Sequence, residues 1–249
     1  MLISGALRAD YLETSGPLAD TAAALLPRQP MLLHNSVWDW SLGHPAALEQ
    51  REVLPRTLRA LRRTRAPWFS LYLGFGAAEV GFDKGRMRAR TTLLGREELF
   101  ENIVRNMRGL ATAIPVPLFL ENLDYNPGGA YEHVCQPEFI AAVLEESEAD
   151  PLLDLAHARV SASRLGFSTP NYLMRLPLER VRQIHFSGPR PRYGVLVDAH
   201  EPLQEEDYGL LQNLLDVTTP RALTLEYDRN EDALKKQVSQ LRDILKRRR

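Results

Sequence analysis

Five stretches of this sequence carry an apolar run up to a side chain able to bind a metal ion or move a proton. Leu118-Phe119-Leu120 leads to Glu121, Leu152-Leu153 to Asp154, Gln183-Ile184 to His185, Leu223-Thr224-Leu225 to Glu226, and Met31-Leu32-Leu33 to His34. Runs of this kind suit buried strands, and side chains alternate across a strand. Leu118 and Leu120 then face one way, Phe119 and Glu121 the other. Ile184 and Phe186 likewise oppose Gln183, His185 and Ser187, and Leu223 and Leu225 oppose Thr224 and Glu226. Asp198 and His200, two apart in Val195-Leu196-Val197-Asp198-Ala199-His200, share a direction in extended chain. His157 follows Asp154 by three residues, within reach around a loop or a first helical turn.

These side chains define a candidate metal cluster of His34, Glu121, Asp154, His157, His185, Asp198, His200 and Glu226, which takes four of the six histidines in the chain. Four carboxylates gathered inside one fold repel each other: at ~5 Å and an effective dielectric of ~20, each pair costs roughly 3 kcal/mol. Protonation or bound cations must relieve that repulsion. Two divalent ions balance four negative charges, and an oxygen and nitrogen donor set suits Fe(II), Mn(II) or Zn(II). Each residue also has an ordinary use, as a helix cap, a salt-bridge partner or a hydrogen-bonded core histidine. The cluster reading rests on five strand or loop ends agreeing.

The elements that must position these groups alternate along the chain. Strand candidates are 10–14 (the weakest), 31–36, 68–74, 117–122, 151–155, 182–187 and 222–227, with 2–7 a further short run. Helix candidates are 46–65, 97–113, 137–147, 171–176, 205–215 and 230–246. Alternation of this kind predicts an α/β fold with a parallel sheet. Seven or eight parallel strands in 249 residues favour a TIM-type (β/α) barrel, in one domain over residues 1–249 with an abbreviated N-terminal unit. Barrel enzymes place their reactive groups at the C-terminal ends of the strands, where these residues fall. No GxGxxG or GxxxxGK[ST] pattern supports a nucleotide-binding sheet.

Composition narrows the function classes. The chain has 31 Lys and Arg against 32 Asp and Glu, a formal charge of -1, so no global basic field draws it to nucleic acid or an anionic membrane. One cysteine, Cys135, forms no intrachain disulfide and excludes four-cysteine zinc sites, which makes the cytoplasm the expected compartment. No apolar run reaches the ~20 residues needed to span a bilayer, and the N-terminus lacks the pattern of a signal peptide. The basic C-terminal end reads as the last barrel helix with cations complementing its dipole. His44 and His133 read as exposed loop residues. Tyr72, Trp38 and Trp40 are candidates to line a pocket, and residues 81–95 read as a solvated connection or a cover over the site.

Taken in order, several of these segments resemble a known family. Leu-Glu-Asn at 120–122, Leu-Leu-Asp-Leu-Ala-His-Ala-Arg-Val-Ser-Ala at 152–162 and Leu-Pro-Leu-Glu-Arg-Val-Arg-Gln-Ile-His-Phe-Ser-Gly at 176–188 are followed by Val-Asp-Ala-His at 197–200 and Leu-Glu-Tyr-Asp at 225–228. The set is similar to the multinuclear non-haem iron-dependent oxidative enzymes (MNIO), over roughly residues 10–230. The resemblance implies a xylose-isomerase-like barrel, two or three iron ions, oxidation at cysteine-containing positions of ribosomally made peptides, and a separate protein that delivers the peptide. Carried over, the family's ligands fall on His34, Glu121, Asp154, His185, Asp198, His200 and Glu226, with His157 in place of a second asparagine. Two departures stand out. Ser70-Leu71-Tyr72-Leu73 replaces the family's Ser-Glu-His-Leu, putting tyrosine at a histidine position, and Pro189 stands where many relatives carry histidine.

The functional expectation is a metal-dependent oxidoreductase with two divalent ions, iron first and manganese or zinc as alternatives, acting on a peptide or thiol-containing substrate, the partner being a peptide or a small molecule. Tyr72 is a candidate for proton transfer. The competing readings are a sugar isomerase or epimerase, a metal-dependent phosphoesterase, and a noncatalytic metal- or peptide-binding barrel.

Overall fold

The structure, a computed structural model, describes residues 5–35, 41–50, 52–83 and 86–248. In chain order its strands are β1 (Leu12–Ser15), β2 (Met31–His34), β3 (Phe69–Tyr72), β4 (Val80–Asp83), β5 (Arg86–Ala89), β6 (Leu118–Glu121), β7 (Asp150–Asp154), β8 (Gln183–Phe186), β9 (Gly188–Arg192), β10 (Val195–Glu201) and β11 (Ala222–Leu225). The α-helices are α1 (Ala19–Leu25), α2 (Val53–Thr64), α3 (Arg96–Ala113), α4 (Pro137–Ser147), α5 (Leu155–Leu165), α6 (Thr169–Leu173), α7 (Glu205–Leu215) and α8 (Glu231–Lys246).

Seven strands form one parallel sheet in the order β1-β2-β3-β6-β7-β8-β11. All seven expected strands are present, in a nearly closed (β/α) barrel. Among the described residues β1 and β11 share no backbone ladder, and side chains bridge that seam: Thr224 Oγ1 donates to Glu13 Oε2 at 3.3 Å. Residues 5–7, the described part of the run at 2–7, are turn and bend.

The alternation of each strand sorts its side chains. Leu118, Leu120, Leu153, Ile184 and Phe186 pack outward with Ile103, Met107, Phe139, Ile140 and Val143 from α3 and α4. Leu32, Trp68, Phe119 and Leu152 form a separate buried cluster within the barrel, with Ala222 against it. Full burial of each such side chain contributes about 1.5–3 kcal/mol. This inner apolar layer is the floor beneath the polar residues two positions further along each strand.

Several elements differ from expectation. The stretch 46–65 divides into a 3-10 turn, Ala47–Glu49, and α2. Pro55 explains the division, because proline is tolerated in a first helical turn and not in a helix interior. Helix α6 lies two residues earlier than read, since Ser168 caps it and Pro170 occupies its first turn. Helices α1 and α5 were not anticipated. Strands β4 and β5 pair antiparallel, and β9 with β10 forms a hairpin. His44 and His133 are half-buried instead of exposed. His44 Nδ1 accepts the Ala46 N–H at 3.0 Å, and the His133 ring lies 6.5 Å from that of Phe139. Trp38 and Trp40 lie outside the described residues. Among the described residues no helix is long and apolar enough to cross a membrane.

Candidate metal centre

The parallel register brings the strand-end residues to one level. Tyr72 pairs with Glu121 across β3 and β6, Asp154 with His185 across β7 and β8, and His34 with Ser70 across β2 and β3. Glu226 follows β11 directly. Asp154 ends β7 and also caps α5, its Oδ1 accepting the His157 N–H at 2.7 Å, which sets His157 in the first helical turn. Asn122 locks this corner: its Oδ1 accepts the Asp154 N–H and its Nδ2 donates to the Asp154 carbonyl, both at 2.9 Å.

The β9–β10 hairpin supplies the remaining two residues. Its register shifts between Val197 and Glu201, and His200 takes a left-handed backbone with φ +47°. A non-glycine residue held there costs of order 1–3 kcal/mol. The kink places His200 Nε2 2.6 Å from Asp198 Oδ2 and 3.7 Å from Glu226 Oε2. Ser187 Oγ donates to Asp198 Oδ1 at 2.6 Å.

All eight sequence-derived candidates thus converge at the C-terminal end of the barrel, with Glu121 as the hub. Its carboxylate lies 3.1 Å from His34 Nε2, 3.3 Å from His185 Nδ1 and 3.6 Å from His157 Nδ1. His185 Nδ1 is also 3.2 Å from Glu226 Oε1, and His157 Nε2 is 3.7 Å from Asp198 Oδ2 and 3.8 Å from Asp154 Oδ2. Tyr72 lies beside the cluster, half-buried, its ring edge-on to His34 at 4.8 Å.

Three of these histidines are tied from outside the cluster. His157 Nδ1 lies 2.8 Å from the Asn122 carbonyl oxygen, an acceptor only, so Nδ1 carries the proton and donates it there. His34 Nδ1 lies 2.9 Å from Ser70 Oγ, whose own hydroxyl has the Leu33 carbonyl as acceptor at 3.4 Å. His185 Nε2 contacts Glu13 Oε1 at 2.8 Å. The second nitrogen of each ring faces the carboxylates. Five buried atoms facing one another have no aligned hydrogen bond: His34 Nε2, Glu121 Oε1 and Oε2, Asp154 Oδ2 and His185 Nδ1. Buried polar atoms are almost always satisfied. Lone pairs converging in this way fit a divalent cation, and three overlapping triads have their donor atoms within 4.8 Å of one another: Glu13, His34 and His185; Glu121, Asp154 and His157; Asp154, His185 and Glu226.

Without a cation, protons carry the balancing charge. Burial pushes Asp154 up to about 8, the neighbouring His157 opposing and Glu226, Glu121 and Asp198 reinforcing. Burial would raise Glu121 also, but His185 and His34 hold it well below the usual carboxylate range. Asp198 is held low against burial by hydrogen bonds with His157 and His200. Burial disfavours the charged forms of His157 and His185, yet Asp154 beside the first, and Glu13 and Glu121 beside the second, lift both well above 6.5. The hydrogen bond to Asp198 raises His200 to about 9. Burial, then Glu121, Glu226 and Asp154, keeps the Tyr72 phenol protonated far beyond its ordinary range.

Sequence reasoning missed Glu13, Ser70 and Asn122 as members of this site. Glu13 had one available signal, an inward carboxylate within the weakest strand candidate.

The family model of the RiPP precursor modification enzymes MbnB/TglH/ChrH matches residues 7–248. A UPF0276 protein of Paraburkholderia phytofirmans is 28% identical over 225 residues, covering 88% of this chain and 71% of the relative. Matches to several further UPF0276 proteins span less than half of those relatives' length. Among solved structures, a D-tagatose 3-epimerase-like protein superposes with a TM-score of 0.69 at 12% identity, covering 97% of this chain and 90% of its own. A xylose isomerase-like TIM barrel protein from Mycobacterium smegmatis in complex with magnesium gives 0.61 at 13%, covering 98% and 86%. At such identities both establish the fold alone.

Proposed function

Because the chain belongs to the family of RiPP precursor modification enzymes MbnB/TglH/ChrH, we propose that it is a non-haem iron enzyme that oxidises a peptide or another thiol-containing substrate at the mouth of the barrel. The observation that carries this reading is the group of five unsatisfied buried donor atoms on His34, Glu121, Asp154 and His185. His34, Glu121, Asp154, His157, His185, Asp198, His200 and Glu226 hold two divalent ions, with iron first and manganese or zinc as alternatives. Iron supplies Lewis acidity and electron transfer that no side chain here offers.

The protein's own part is positioning and proton management. Outer hydrogen bonds fix the imidazoles, and the floor of Leu32, Trp68, Phe119 and Leu152 excludes water from below. Tyr72, kept protonated beside His34, would offer its phenolic O–H to bound substrate as a hydrogen-bond donor, and a proton transfer would need that raised pKa to fall when substrate or metal binds. A separate protein delivers the peptide, and the setting is the cytoplasm.

Metal analysis of anaerobically purified protein, with anomalous diffraction at the iron edge, tests the reading. Iron among these eight side chains, together with dioxygen-dependent modification of a peptide encoded beside the gene, is the expected outcome. Metal bound elsewhere refutes the site. Sugar turnover without dioxygen, or bound metal with no turnover, refutes the oxidative chemistry.

A further inference from the structure

Glu13 and Gln183 are not among the eight candidate ligands, yet Gln183 is buried and Glu13 half-buried inside the barrel against His185. The chain of contacts begins at Trp68. Its indole nitrogen can only donate, and it lies 2.7 Å from Gln183 Oε1. That contact fixes the amide: the oxygen faces Trp68 and the nitrogen faces the opposite side. Gln183 Nε2 then donates its two hydrogens to Glu13 Oε2 and, at 3.0 Å, to Thr224 Oγ1. Thr224 passes its own hydrogen to the same Glu13 oxygen. Gln183 Nε2 also lies 3.1 Å from His185 Nε2, but no hydrogen remains for that contact. The other carboxylate oxygen, Glu13 Oε1, is left for His185 Nε2 at 2.8 Å.

An ionised carboxylate accepts and never donates. We propose that the buried relay Trp68–Gln183–Glu13 fixes the proton of His185 on Nε2, and so presents Nδ1, 3.3 Å from Glu121 and 3.2 Å from Glu226, to the metal as a lone pair. Although Glu13 also lies within reach of a cation beside His34 and His185, its Oε1 meets His185 Nε2 and its Oε2 accepts from Gln183 and Thr224, so in this proposal it is a positioning residue that acts through His185. The inference rests on the metal-binding reading above and adds the residues that orient one ligand. Outer partners of metal-bound histidines fix the tautomer and raise ligand basicity, and their loss weakens metal binding by about 10- to 100-fold.

Glu13→Gln is the discriminating substitution, since it keeps the shape and reverses one hydrogen bond. Gln183 still offers a donor, so the new amide turns its oxygen toward Gln183 and its NH2 toward His185 Nε2. Two donors then meet, and the imidazole proton moves to Nδ1, the nitrogen needed for the metal. Glu13→Asp keeps an acceptor-only group. Trp68→Phe releases the amide of Gln183 without touching His185.

The test measures Zn(II) affinity by competition with a chelator, and locates the His185 proton by long-range proton–nitrogen NMR with His185→Gln for assignment. The expected result is zinc binding weakened by about 10- to 100-fold in Glu13→Gln, a smaller loss in Trp68→Phe, partial recovery in Glu13→Asp, and a hydrogen-bonded Nε2–H seen in wild type and lost in Glu13→Gln. Zinc binding within threefold of wild type in Glu13→Gln, or an unchanged Nε2–H signal, overturns the relay. Failure of the wild-type protein to take zinc instead overturns the metal site. The relay is then judged on the metal-free protein titrated upward until His185 keeps a single proton, where an Nε2–H signal identical in wild type and Glu13→Gln refutes it.

Discussion

Metal uptake at the proposed site must displace protons, because burial and neighbouring carboxylates raise the pKa values of three of its groups. At pH 7 Asp154, with its pKa near 8, is protonated in about nine of ten molecules. His157 and His185 are both lifted well above 6.5 and carry their second proton. A metal ligand must be an ionised carboxylate or an imidazole with a free lone pair, so if Asp154, His157 and His185 bind metal as proposed, all three groups lose a proton on loading. These groups titrate together, so the count belongs to the cluster and not to single residues. On the order of two to three protons leave per loaded site at pH 7, and each makes the apparent affinity rise about tenfold per pH unit. Between pH 6 and 7 the affinity for Zn(II) or Mn(II) rises roughly 100- to 1000-fold. Isothermal titration in two buffers of different ionisation enthalpy reads the proton number directly. The sign for folding is opposite in the metal-free protein. Raised folded-state pKa values mean that it binds more protons folded than unfolded, so stability falls as pH rises, through Asp154 from about 4 toward 8 and through His157 and His185 from about 6.5 upward, by about 1.4 kcal/mol per pH unit for each extra proton. Release of less than one proton, or an affinity that changes less than tenfold between pH 6 and 7, refutes the arrangement of charges described here.

Two substitutions separate the architecture of the site from its ligands. Asp154→Asn mimics the protonated acid and keeps an oxygen to accept the His157 N–H, so the urea midpoint of the metal-free protein changes by less than the equivalent of about 1 kcal/mol, while Zn(II) affinity falls by 100-fold or more. Asn122→Ala removes both hydrogen bonds to the Asp154 backbone; urea unfolding should show a loss of about 2–4 kcal/mol, with metal affinity reduced alongside because Asp154 and His157 lose their common anchor.

The strand ends were legible because a barrel strand buries both faces differently. Leu118 and Leu120 meet helices while Phe119 and Glu121 meet the interior, and that two-residue period is written locally. Helix α5 was hidden because Asp154 is at once the last residue of β7 and the cap of the helix, leaving no turn signal between them. The hairpin strand β9 was hidden because Gly-Pro-Arg-Pro-Arg violates every strand preference. For Asp198 and His200 the sequence gives the right pairing for an incomplete reason: they face together through a left-handed residue at a shifted register, not through plain extended chain.

Glu13 marks the limit of local reasoning. Its neighbours Asp10, Tyr11, Thr14 and Ser15 give no sustained apolar run, and its partner Gln183 lies 170 residues away. What requires a carboxylate there is the seam itself. Where β1 and β11 share no ladder, polar side chains must join the two edges, and an acceptor placed at that seam serves Thr224, Gln183 and His185 at once. The strand with the faintest sequence signal therefore carries a carboxylate that joins the two edges of the seam and also meets His185.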